Sequence, residues 1–258
     1  MKEKDNDLFV IGNGDILIKK RDKKTECSCK QSSFEYNGKE NVLIGRKGMF
    51  EVKNIEVIGL QLTEDEKKTK EKYNITANQM KQLETWCNLK CGELIFDSTK
   101  HGWSKENNEF RKKIFNKSKV CIVIENEDGE IFGCYINSTI DKVYEYPDDN
   151  PIKDENAFVF NLESNGRHEG PMKFDIKKEE FDHVFSLCPD DDLLFGCGYY
   201  DILIYKENEK SKSYCKQWKY SDFDYRGVEK ALVQNPYNGT NDKESEFTPK
   251  RIIVIQMI

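Results

Sequence analysis

The sequence predicts an α+β fold of the sandwich type, and three observations carry that expectation. Short apolar, β-branched and aromatic runs follow one another from residue 119 to the end of the chain, separated by turn signals. Helix signals gather in one earlier stretch, residues 63–116. Strands and helices do not alternate as in a parallel α/β sheet, and there is no internal repeat or heptad seam, so the strands should pair antiparallel.

The elements follow in order. In residues 1–60, Phe9–Ile11 and Ile16–Ile18 flank Gly12-Asn13-Gly14, a strong turn signal, and Val42–Ile44 and Val52–Leu60 look like further strands. This stretch holds few apolar residues for a core of its own. It is expected to be a β-rich extension that packs on the main domain and adds strands to it. At Thr63 the composition changes. Thr63-x-x-Glu66 is a capping box that opens a polar helix from Glu64 to about Tyr73, so residues 61–77 form a helical linker. Thr76-x-x-Gln79 is a second capping box, with Ile75 and Met80 placed as a hydrophobic staple. The helix it starts carries Met80, Leu83 and Cys87 on one face and should end near Cys91-Gly92.

Residues 78–258 then form the main domain. Leu94–Phe96 reads as a short strand. Ser104 is placed to cap a third helix over Lys105–Asn116 that buries Phe110 and Ile114 one turn apart. Lys119–Glu125 and Glu130–Asn137 flank Asp128-Gly129, a hairpin signal. Phe158–Leu162, Lys173–Ile176, Val184–Leu187, Asp201–Tyr205, Ser213–Lys219 and Arg251–Met257 complete the strands. Tyr144–Asn156 and Asn235–Glu246 read as polar loops.

Composition limits the function classes. Aromatic residues at 12 % are too many for a disordered chain, so the 34 % of charged residues belong on a wet surface over an aromatic core. A net charge of -6 gives no general attraction to nucleic acid or to an anionic membrane. The opening residues lack the apolar core of a secretory leader, and the longest apolar runs, such as Ile252–Ile255, fall far short of the roughly 20 residues of a membrane span. A cytoplasmic or nuclear protein is expected. Its nine cysteines would then be thiols, and its four sequons, at Asn74, Asn116, Asn137 and Asn238, would be unused.

Little in the sequence assembles chemistry. Cys27-Ser-Cys29 and Cys87-x3-Cys91 are the close cysteine pairs, but no histidine pair follows at zinc spacing. Placing Gly129 at the glycine of a calcium loop puts apolar Ile124 in the first ligand position. Asp190-Asp191-Asp192 reads as a solvated turn. Gly196-Cys197-Gly198 would need a third glycine where Asp201 stands to bind a dinucleotide, and a histidine partner to make Cys197 a nucleophile. The simpler expectation is a tight bend before the strand Asp201–Tyr205. Two basic groups, Lys19–Lys24 and Arg111–Lys119, are candidate docking patches, although the second fits the wet face of a helix. No catalytic, cofactor or metal site is expected.

Several motifs in order resemble the TLDc domain family. They are Ile95-Phe96-Asp97-Ser98, then His101-Gly102-Trp103-Ser104 with Phe110, Asp128 to Gly133, Ala157-Phe158-Val159-Phe160, Phe195 to Gly198 with Asp201-Ile202, and Phe247 with Ile252-Ile253-Val254. The resemblance runs from about Asn78 to Met257. It implies a two-sheet antiparallel β-sandwich flanked by helices, and a non-catalytic protein-binding module tied to oxidative-stress resistance and to the vacuolar proton pump (V-ATPase). Ser98, Gly102, Ser104, Gly133, Phe158, Phe160, Gly196, Gly198 and Asp201 are the residues it marks, as structural or partner-binding positions. The chain departs from the family pattern where Asn156 precedes the Phe158–Phe160 element and where Cys197 interrupts the glycines. Two other functions stand beside this one: a nucleic-acid-binding regulator using the basic patches, and a thiol-based antioxidant or hydrolase using Cys197 or another exposed cysteine.

Overall fold

The run Val120-Cys-Ile-Val-Ile124 has no polar face, which is the pattern of a strand covered on both sides. The computed structural model shows that arrangement. It describes residues 7–11, 16–19, 27–29, 48–50, 64–143, 151–188, 192–218, 220–237 and 246–258. The chain divides into two units, residues 1–61 and 62–258.

In the first unit, β1 (Asp7–Ile11), β2 (Ile16–Lys19), β3 (Cys27–Cys29) and β4 (Gly48–Phe50) pair antiparallel in chain order as one four-stranded sheet. The expected hairpin is present, with Phe9 opposite Ile18 and Ile11 opposite Ile16. The turn Gly12–Gly14, the lysine-rich segment after Lys19, the runs Val42–Ile44 and Val52–Leu60, the cap Thr63, Asp190, Asp191, and much of the two polar loops lie outside the described residues.

The second unit opens with α1 (Glu64–Tyr73) and α2 (Ala77–Cys87). Asn74, with φ at 56°, breaks the helical path between them. Both halves of the predicted capping box form: the Thr76 side chain accepts from Gln79 N, and the Gln79 side chain accepts from Thr76 N. α2 stops at Cys87, earlier than expected, because Asn88 takes a left-handed conformation and Cys91 is already committed to a strand.

Six strands make the larger sheet: β5 (Cys91–Asp97), β6 (Val120–Asn126), β7 (Ile131–Ile136), β8 (Phe158–Glu163), β9 (Met172–Asp175) and the C-terminal β15 (Pro249–Met257). The order is β5-β15-β6-β7-β8-β9, and every pairing is antiparallel. The smaller sheet is a five-stranded meander of β10 (Phe185–Leu187), β11 (Leu193–Cys197), β12 (Ile202–Tyr205), β13 (Ser213–Cys215) and β14 (Glu246–Phe247). The fold is thus the expected α+β sandwich of two antiparallel sheets with few helices.

Strand alternation separates two apolar clusters. Ile122 and Ile124 of β6, Val159 of β8, and Ile252 and Val254 of β15 meet Phe195, Cys197, Ile202 and Ile204 between the sheets. Cys121 and Val123, Phe158 and Phe160, and Ile253 and Ile255 face the other way, where Ile75 and Leu83 of the helical pair cover them. The large sheet is therefore buried on both faces. Each fully buried aliphatic or aromatic side chain contributes about 1.5–3 kcal/mol.

The third helix, α3 (Glu109–Ile114), is shorter than expected and is capped by Asn108, whose side chain accepts from Arg111 N. Ser104 accepts from Asn107 N instead. The intervening residues bridge back on themselves, Trp103 against Asn108, so a helix cannot start there. Phe110 and Ile114 are buried as predicted. Phe110 stacks on Phe195 at 5.3 Å and meets Phe96 edge-on at 5.0 Å, which ties α3 to both sheets. Arg111, Lys112 and Lys113 share this helix with the buried pair, and Lys112 is exposed.

Gly133 shows how tightly the large sheet is fitted. It pairs across the strands with Val123 and Phe160. A Cβ at this position would sit 1.9 Å from Ile122 O and 3.0 Å from Phe160 Cζ. The first of these is a backbone atom and cannot yield without separating β6 from β7. Gly133→Ala should therefore lower stability by about 3 kcal/mol, read as a fall in the urea midpoint; an unchanged midpoint would contradict this packing.

Candidate functional site: an aromatic and lysine face on the smaller sheet

The site begins at the turn between β11 and β12. Gly198 has φ at +62°, and a Cβ there would lie 2.5 Å from Asp201 Oδ2, so this position needs glycine on two counts. Gly196 differs from the expected bend. It lies inside β11, paired with Ser186 and Leu203, and a Cβ would make only ordinary contact with Leu203 at 3.5 Å.

Beneath the turn lies a buried acid. Asp201 is fully enclosed, and its two carboxyl oxygens accept from the Tyr225 hydroxyl at 2.8 Å and from Asp222 N at 3.0 Å. Burial outweighs these hydrogen bonds and pushes its pKa up to about 7. Asp222 in turn accepts from Tyr199 N at 2.5 Å, and burial pushes it up to about 6. The two carboxyl groups thus pin the turn Gly198–Asp201 to the segment around residues 218–225.

These anchored segments carry the rings. Tyr199, Tyr200 and Tyr220 are 54 %, 38 % and 57 % exposed, and with Ile258 they are the large exposed hydrophobic side chains among the described residues. The Lys216 ammonium lies over four rings: Tyr200 at 4.7 Å, Trp218 at 5.2 Å, Tyr199 at 5.5 Å and Tyr237 at 5.7 Å. Lys216 N donates to Tyr200 O and Asp201 O, which ties the lysine back to the same turn. Burial lowers the Lys216 pKa, against an opposing pull from Asp201. Trp218 packs edge-on against Tyr220 at 4.9 Å, and its buried indole N–H has no acceptor among the described residues. Beside the rings a cleft of about 320 Å³ is lined by Tyr205, Tyr214, Tyr237, Lys212, Lys216 and Glu246.

The residues marked by the sequence do not converge on one site. Ser98 N donates to Ile252 O, and Ser98 Oγ accepts from Ile252 N, both at 2.9 Å. Gly102 N donates to Glu109 Oε2, and its O accepts from Glu109 N, which holds the start of α3. Ser104 forms a bridge with Glu207 next to the smaller sheet. Phe158 and Phe160 lie under α2, each 6.3 Å from the Trp86 ring. Gly198 and Asp201 border the aromatic face, and Gly196 lies close to the Tyr200 ring. Tyr199, Tyr200, Lys216, Trp218, Tyr220 and Tyr237 are not among the residues marked by the sequence. Tyr199-Tyr200 directly after the glycine turn was an available signal, because adjacent tyrosines at a turn cannot both turn into a core.

Cys197 is fully buried, and burial, with a hydrogen bond to Cys134, raises its thiol pKa well above the ordinary value. Among the described residues, no group of three His, Cys, Asp or Glu side chains is placed to hold a metal ion. No helix among them is long and apolar enough to cross a membrane.

The fold and this face define a class: an antiparallel two-sheet sandwich domain with an exposed aromatic face. The family model for the TLDc domain matches residues 69–235, and the chain belongs to the TLDc domain family. No curated relative matches the sequence.

Two tests follow from this geometry. Gly198→Ala should cost about 1–3 kcal/mol through strain at positive φ, whereas Gly196→Ala should change stability by less than about 1 kcal/mol; equal losses in urea melts would refute the distinction. The raised Asp201 also sets a pH slope. Above its unfolded value of 3.8, the folded carboxyl keeps a proton that the unfolded chain has released, up to about 7. Its stabilisation is complete below pH 3.8 and is lost as pH rises toward 7. Asp201→Asn should remove that loss, so wild-type stability should decline relative to the variant across this window; parallel pH profiles would show that Asp201 does not titrate there.

Proposed function

We propose that this chain is a non-catalytic, cytoplasmic binding module of the TLDc type that docks a protein partner through the face formed by Tyr199, Tyr200, Lys216, Trp218 and Tyr220. The observation that carries the reading is the concentration of exposed tyrosines around one ring-enclosed lysine. Tyr and Trp on a fixed backbone lose little conformational entropy on binding and dominate interface energetics. Asp201 and Asp222 supply the fixed backbone, so the surface is preorganised. The buried, protonated Cys197 supports binding over thiol catalysis at that position.

Resistance to oxidative stress, with the V-ATPase as the partner to test first, is the finer reading, and the TLDc family resemblance supports it. The test is co-sedimentation of the purified chain with purified V-ATPase, followed by proton-pumping assays. Tyr199→Ala with Tyr220→Ala removes two exposed rings and should leave the melting temperature unchanged. It should weaken binding at least ten-fold, about 1.4 kcal/mol. Retained binding by a correctly folded double variant would move the interface elsewhere, and absence of wild-type binding would reject this partner.

A further inference from the structure

A second cluster of chemistry lies on the opposite side of the large sheet, under α2. The Sγ atoms of Cys87 and Cys121 are 3.8 Å apart, although the residues are 34 positions apart in sequence. Cys87 is the last residue of α2 and is partly exposed; Cys121 is in the middle of β6 and fully buried. Cys91 stands close by with its Sγ 3.9 Å from the Met257 sulfur. Two thiols in van der Waals contact, one reachable from solvent and one enclosed, form a pair with unequal access to an oxidant.

We propose that Cys87 and Cys121 are a reversible modification site at which a hydroperoxide drives formation of a disulfide between α2 and β6. The reaction balances without a further reactant. Cys87 sulfur attacks the terminal peroxide oxygen and the O–O bond breaks. Cys87 becomes the sulfenic acid, and its thiol proton joins the departing oxygen, which leaves as the alcohol, or as water when hydrogen peroxide is the oxidant. Cys121 sulfur then attacks the Cys87 sulfur, the S–O bond breaks, and the Cys121 proton leaves with the hydroxide as water. Two thiols lose two electrons in total, and the peroxide gains them.

The surroundings favour this order of events. Burial raises the Cys121 thiol well above its ordinary pKa and the Cys91 thiol to about 12, so both enter as protonated thiols while the accessible Cys87 meets the oxidant. The sulfurs must close from 3.8 Å to about 2.05 Å. Cys87 can supply that movement because the helix ends there, with Asn88 already in a left-handed conformation. The bond would link the covering helix to the sheet across a 34-residue separation, which restricts the unfolded chain and holds α2 against Phe158 and Phe160.

The test is peroxide treatment of the folded full chain, alkylation of remaining thiols under denaturing conditions, and peptide mass spectrometry. The expected product is one Cys87–Cys121 linked peptide pair, two hydrogens lighter than its parts and released by dithiothreitol. The urea midpoint should rise on oxidation of the wild type and stay constant in Cys87→Ser. A Cys87–Cys91 link, a Cys87 sulfinic acid beside a free Cys121 thiol, or two unmodified thiols would each overturn the proposal. The assignment rests on the wild-type products, so a folding defect in Cys121→Ser would not affect it.

Discussion

Insertion of the C-terminal strand β15 between β5 and β6 is the constraint on which the rest of the second unit depends. This strand pairs antiparallel on both edges, Val254 lying opposite Phe96 on one side and Ile122 on the other. Its alternating residues feed both apolar clusters. Without it, β5 and the attached α3 would lose their hydrogen-bonded link to the sheet, and α2 would lose part of the surface it covers. The family match ends at residue 235, before this strand begins, yet the matched strands cannot form a continuous sheet without it. Arg251 adds a polar lock: it donates to both Asp97 carboxyl oxygens. Burial would raise Asp97, but the hydrogen bonds from Arg251 and Thr99 outweigh it and hold its pKa at about 2.

The smaller sheet solves a different problem. Its inner face completes the core, which leaves the turn after β11 free to carry side chains outward. A turn that presents adjacent tyrosines to solvent gains no stability from burying them, so its conformation must be held from beneath. Asp201 and Asp222 do this through backbone and hydroxyl hydrogen bonds while themselves buried. The raised pKa values of both groups follow from that burial. Placing ionisable groups there is costly, and the compensation is a fixed aromatic surface.

The motif residues of the TLDc resemblance have structural tasks spread across the sandwich. Gly133 and Phe160, distant in sequence, prove to be cross-strand partners whose sizes are matched. Ser98 stitches the exit of β5 to β15, and Gly102 stitches the start of α3. Gly198 leaves room for the Asp201 carboxyl. Their arrangement accounts for a family pattern of small and aromatic residues without requiring them to meet at one catalytic centre.

The sequence by itself determined the elements whose signals are local. The Thr76–Gln79 capping box, the Asp128-Gly129 hairpin, the buried pair Phe110 and Ile114, and the antiparallel sandwich class all depend on contacts between near neighbours or on strand periodicity. Only the tertiary structure decided which strands pair. The four N-terminal strands pair in chain order, and β15 enters between β5 and β6, in a sheet begun some 150 residues earlier. It also decided the bounds of two helices: α2 stops at Cys87 because Cys91 pairs with Met257, and α3 starts late because Trp103 bridges to Asn108. The aromatic face and the Cys87–Cys121 contact belong to the same category. Each joins residues far apart in sequence, and such a meeting is set by sheet register and packing, for which a local pattern carries no signal.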